Sequence, residues 1–132
     1  MDYKIVTNNP KVESQYKDVI FVNGNFEDVL LRVRDLVHAG HELINHPLGA
    51  SIRMFYSPYR SIIIGEKMIG QKEKNINNIY VETIENSIEN YRKHMEGRIP
   101  DTKNNEDYSL IDSELLVSAL GEHERNLEVF SS

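Results

Sequence analysis

The residues best equipped for chemistry are polar and sit in short loops rather than in one motif. Asn8-Asn9-Pro10 places two amides, each a donor and an acceptor, at a turn that proline stiffens. His38, His41 and His46 invite a metal reading, but Gly40 separates the first two and only Glu42 could join them, so no metal-ligand pattern is complete. His46, followed by Pro47, Leu48, Gly49 and Ser51, is better read alone, as an acid, a base or a hydrogen-bond donor. Arg53 and Arg60 supply guanidinium groups able to hold a carboxylate or phosphate through paired hydrogen bonds. No acidic residue lies between Glu42 and Glu66, so His46, Arg53 and Arg60 share a stretch of local positive potential.

Other chemistries are excluded by what is missing. The chain has no cysteine, hence no disulfide, thiolate ligand or cysteine nucleophile. Gly65-Glu66-Lys67-Met68-Ile69-Gly70-Gln71-Lys72 resembles a phosphate loop in outline, but Gln71 stands where the lysine belongs. Neither a nucleophile elbow nor a dinucleotide glycine fingerprint occurs, and the acids cluster on helix faces rather than forming a catalytic carboxylate pair.

Composition limits the class of protein. The 132 residues are 39% hydrophobic and 27% charged, which suits one globular domain. No apolar run approaches the roughly 20 residues of a membrane span. Met1-Asp2-Tyr3-Lys4 has no signal-peptide character, so the expected location is the cytoplasm. The net charge of −6 argues against nucleic acid as a partner. Residues 1–65 balance seven acids against seven Lys and Arg, so the whole excess falls in residues 66–132.

Periodicity supplies the elements that must position the loops. Residues 3–7 and 18–22 read as strands, the second apolar on both faces as in a covered parallel sheet. A weak helix is expected over 11–17, and Asn23-Gly24 turns the chain. Phe26, Val29, Leu30, Val33 and Val37 form one stripe of a helix over 26–39, with Asn25 as its cap and Gly40 behind it. A short strand over 42–45 precedes an irregular stretch, where Leu48, Ile52 and Phe55 are spaced for a short helix ended by Pro58. A strand over 61–64 follows, then a polar loop or extension over 66–78.

Two further helices are expected. The first runs over 78–96, with Ile84, Ile88, Tyr91 and Met95 on its stripe. Residues 98–107 form a linker, and the second helix covers 110–129. There Leu116, Leu120, His123 and Leu127 face inward, and Ser109 and Asp112 are a candidate cap pair. The expected fold is a single α/β domain over 1–132, three-layer α/β/α, with a short, mostly parallel sheet of about four strands. Residues 1–65 make its β-α-β-α-β-β core, and 66–132 a helical, acidic second half with the two C-terminal helices.

Open α/β sheets bind ligands outside the carboxyl ends of their strands. That rule nominates Thr7, Asn8, Asn9, Gly24, His46, Ser51, Arg53, Tyr59 and Arg60 as ligand-binding residues. Arg60 precedes its strand and so belongs to an amino end, which could remove it from that edge and leave it paired with a helix carboxylate. No residue is nominated as catalytic, none as a metal ligand, and no cofactor is expected.

Thr7-Asn8-Asn9-Pro10, Val33-Arg34-Asp35-Leu36-Val37-His38 with Gly40-His41, His46-Pro47-Leu48 and Ser57-Pro58-Tyr59-Arg60-Ser61 together resemble the GrdX family over residues 3–66. Those small proteins are encoded with glycine, sarcosine and betaine reductase systems. The resemblance implies a cytoplasmic accessory role in amino-acid fermentation, and the lack of cysteine agrees with an accessory rather than a redox carrier. It carries over no catalytic residue. The expectation is a non-catalytic accessory or regulatory protein that binds a small anionic metabolite or a reductase-system partner subunit at the carboxyl edge of the sheet. One alternative is a small enzyme for a phosphorylated or carboxylated substrate, with His46 as acid or base and Asn8 or Asn9 orienting the substrate. Another is an interaction module that uses the acidic second half. A homodimer is a further option, whereas nucleic acid and membrane are not expected partners.

Overall fold

Alternation along two central strands sets the architecture. The computed structural model describes residues 3–68 and 71–131. Strand β1 (Tyr3–Thr7) sends Val6 to one face of the sheet and Ile5 to the other, and β4 (Ser61–Lys67) divides Ile62 and Ile64 from Ile63 in the same way. Against Val6, Ile62 and Ile64 pack α2 (Phe26–His38), through Phe26, Val29, Leu30, Val33 and Val37, and α3 (Gln71–Met95), through Ile84, Ile88 and Tyr91. Against Ile5 and Ile63 pack Val12 of α1 (Pro10–Gln15) and Leu116 and Leu120 of α4 (Asn105–Ser131).

The remaining strands, β2 (Val19–Phe21) and β3 (His41–Leu43), form the edges in the order β2-β1-β4-β3. Only β1 and β2 are parallel; β4 runs antiparallel to both β1 and β3. The sheet is therefore mixed, which corrects the mostly parallel expectation. Helices link β1 to β2 and β2 to β3, as the alternation implied, but an irregular segment joins β3 to β4, and no crossover helix forces a parallel return. The apolar run at 18–22 gave the parallel pairing of β2 but not its position: β2 is an edge strand with Phe21 exposed, whereas Ser61 to Gly65 of β4 are all buried.

Local signals place α2 closely. Asn25 Oδ1 accepts from Asp28 N–H while the Asp28 carboxylate accepts from Asn25 N–H, a capping box. Gly40 follows its end at φ +110°. Asn77 Nδ2 then donates to the Val37 carbonyl, and His38–Glu85 and Arg92–Glu27 contacts join α2 to an antiparallel α3.

Several boundaries differ from expectation. Residues 66 and 67 complete β4, and 71–78 form the first turns of α3; the intervening 69 and 70 lie outside the described residues. Ile76 and Ile79 there are exposed, so those turns lack the apolar stripe by which a helix is read. Helix α4 starts at Asn105, so Ser109 and Asp112 sit inside it and face the sheet instead of capping it. Leu127, expected inward, is exposed, while His123 is half-buried with its ring edge-on to Tyr3. The expected short helix is the 3-10 helix Ile52–Tyr56, which buries Phe55 against Tyr91 and His94. Among the described residues no helix is long and apolar enough to cross a membrane.

Candidate functional site

Because β4 runs against β1, its amino end lies at the edge where β1 and β2 finish, with Thr7 opposite both Ser61 and Phe21. Arg60 therefore joins the carboxyl-edge loops rather than missing them. Its backbone N–H donates to Asn8 Oδ1 at 2.9 Å, and Asn8 Nδ2 donates to the carbonyls of Gly24 and Pro58 at 3.0 and 2.7 Å. One amide thus ties the loops after β1 and β2 to the start of β4.

The Arg60 side chain closes the other flank. Its Nε donates to the Pro47 carbonyl at 2.7 Å and its Nη2 to the His46 carbonyl at 2.6 Å. Arg60 is only 6% exposed. Burial pushes its pKa down from the ordinary arginine value, while the negative charge of Asp112 pushes it up. Gly49, at φ +70°, faces this guanidinium. The guanidinium anchors the 46–49 loop instead of standing open to an anion.

On the opposite face a second network fixes α4. Asn9 N–H donates to Thr7 Oγ1, Ser61 Oγ donates to Asp112 Oδ2 at 2.7 Å, and Thr7 and Ser61 share a 2.7 Å hydrogen bond. Since the Ser61 proton goes to Asp112, Thr7 must donate to Ser61, so the chain is polarised toward the carboxylate. Asn9 Nδ2 also reaches Asp112 Oδ2 and the Ser109 carbonyl, while Ser109 Oγ and Lys11 N–H donate to Asn9 Oδ1. Asp112 Oδ1 is buried with no hydrogen-bond partner among the described residues.

The nominated residues therefore divide. Thr7, Asn8, Asn9 and Arg60 come together with their side chains turned to internal partners. Gly24 supplies a carbonyl to Asn8, and a Cβ there would collide with Asp28. Ser51 and Arg53 stand exposed at the start of the 3-10 helix. Tyr59 lines a cleft of about 520 Å³ with Lys11, Asn105, Glu106 and Ser109. His46 lines a separate cleft of about 230 Å³ with Asn45, Glu122, His123 and Asn126. Its Nδ1 accepts from Leu48 N–H at 3.1 Å, so the neutral ring carries its proton on Nε2. His46 is exposed by area, and partial desolvation of its ring, helped by the Arg60 charge, holds its pKa below the ordinary value.

Sequence reasoning missed Asn45, Ser61 and Asp112 as parts of this edge. Asp112 had left a trace: with Leu116 and Leu120 it forms a four-residue spacing, which puts a carboxylate on an apolar stripe. Among the described residues no group of three or more His, Asp or Glu could hold a metal ion.

These features define a small α/β protein with a four-stranded mixed sheet and a polar edge braced from within. The family model described as GrdX-like protein matches residues 4–121, and the chain belongs to that family. The match extends beyond the first-half resemblance through most of α4. No curated protein and no solved structure matches the chain.

Proposed function

We propose that this is a non-catalytic accessory protein of glycine-reductase-type amino-acid fermentation that docks a partner subunit on the carboxyl edge of its sheet. The observation that carries this reading is the commitment of Arg60: the cation best placed to clamp a small anion spends two N–H groups on the backbone of its own loop. Part of what the same edge turns outward, away from Glu106 in the Tyr59 cleft, is apolar and basic. Ile52 is 64% exposed and Ile99 83%, beside the exposed Arg53 and Arg98. Arg98 reaches Tyr56 Oη, and Asp101 N–H donates to the Tyr56 carbonyl, so the 98–101 segment lies against the 3-10 helix. An apolar patch rimmed by guanidinium groups suits a protein surface of opposite charge.

The test is binding of the purified protein to purified reductase components at low and high salt, beside an Ile52→Glu/Ile99→Glu variant. The expected result is a salt-sensitive complex weakened at least tenfold by the variant. A complex unaffected by the variant, or no complex with any component, overturns the reading. A small anionic metabolite is the second reading, favoured by Lys11 and Tyr59 in the 520 Å³ cleft. A ligand-induced rise in the unfolding midpoint, lost in Lys11→Ala, would decide for it.

A further inference from the structure

The cleft at His46 lies between the end of β3 and the second half of α4, and its walls differ in chemistry. On the strand side, Asn45 Oδ1 accepts from Ile63 N–H at 2.7 Å, which fixes the amide orientation and leaves its Nδ2 as a donor. His46 is fixed in the same way: Nδ1 is occupied by Leu48 N–H, so Nε2–H is the group left to donate. Behind them sits a permanent cation, since the Arg60 guanidinium holds the His46 carbonyl at 2.6 Å. On the helix side, Glu122 supplies a carboxylate beside His123 and Asn126, and Ile44 and Ala119 add apolar lining. The cleft is thus donor-rich with positive charge behind it at one wall, and anionic at the other.

A simple anion would satisfy the first wall and be repelled by Glu122. A simple cation would satisfy Glu122 but leave the Asn45 and His46 donors unmatched and face the Arg60 charge. We infer that this cleft binds a small zwitterion, with its carboxylate toward Asn45 and His46 and its ammonium toward Glu122. The cleft, of about 230 Å³ and open on one side, has room for a compact amino acid. The depressed pKa of His46 agrees, because a neutral ring keeps the fixed donor geometry without adding a second charge. This cleft shares no residue with the Ile52 and Ile99 patch proposed for docking, so a failure of either leaves the other standing.

The test uses the isolated 132-residue chain and five probes: alanine, β-alanine and 4-aminobutyrate, whose charges are progressively further apart, with acetate and methylammonium as the separate halves. Titration calorimetry and the His46 imidazole nitrogen resonances are the readouts. At least one zwitterion is expected to saturate at least tenfold more tightly than acetate or methylammonium, and to shift the His46 Nε2 resonance. Glu122 is exposed, so Glu122→Gln leaves the fold intact and should weaken that zwitterion at least tenfold while tightening acetate, whose repulsion it removes. Acetate binding as tightly as every zwitterion would overturn the inference. So would binding indifferent to Glu122→Gln, or no saturable binding by any zwitterion.

Discussion

Asn8 and Arg60, 52 residues apart in sequence, meet through a 2.9 Å hydrogen bond from the Arg60 backbone to the Asn8 side chain. The bond holds the first residue after one central strand to the last residue before the other, and both side chains reach onward to further loops. Five loop carbonyls or amides thus depend on two side chains buried to 6% exposure each. The edge is a braced platform, and its stability should be sensitive to small polar changes.

Asn8→Asp keeps the acceptor for Arg60 N–H but removes both donors and sets a carboxylate against the Gly24 and Pro58 carbonyls. Unsatisfied buried groups of this kind cost about 1–3 kcal/mol each. Thermal unfolding should show a fall of roughly 3–6 °C for each kcal/mol lost in a chain of this size. An unchanged midpoint would mean that the amide is dispensable.

Arg60→Lys retains the charge but cannot reach two carbonyls with a rigid fork. The 46–49 loop should loosen while the centre of β4 stays closed. Hydrogen exchange reads this directly: the amides of Leu48 and Gly49, which donate within this loop, should exchange faster, and those of Ile62 and Ile64 should not.

The pH dependence follows from His46. Its folded pKa lies below the ordinary 6.5, so the unfolded chain binds a proton more readily. The contribution to stability is therefore present above pH 6.5 and is lost as pH falls from there through the lower folded value. His46→Gln should flatten that part of the stability-against-pH curve, measured by urea unfolding between pH 7 and 5.

Gly24→Ala would drive a Cβ into Asp28, the acid of the α2 capping box. A lost cap costs about 1 kcal/mol. In an Asp28→Ala background the collision with the carboxylate disappears and only the 2.8 Å approach to the residue-28 Cβ remains, so the two substitutions should be non-additive in a double-mutant cycle. Full additivity would show that Gly24 is required for another reason.

Much of the fold was legible because it is encoded locally. The α2 stripe, its Asn25 cap and Gly40 lie within one helix length, and 3.6-residue periodicity exposes them without reference to anything distant. The first turns of α3 and α4 escaped notice because residues 71–78 and 105–109 are mostly polar in type and carry no such period. The donor-rich loops at residues 8–9, 46–51 and 57–60 were legible as loops, since Asn, Pro, Gly and Ser mark turns.

Their assembly was not legible, because no short-range rule states that β4 inserts between β1 and β3 and runs backward. That reversal alone carries Arg60 from the far end of a strand to the side of Asn8, and brings Asp112 of the last helix beneath Ser61. Side-chain type and element periodicity are properties of neighbours along the chain, and these 132 residues specify them directly. Which polar groups are satisfied internally, and which remain to meet a ligand, depends on burial and on partners up to 103 residues away. Both arise only when the sheet closes and desolvates its edge.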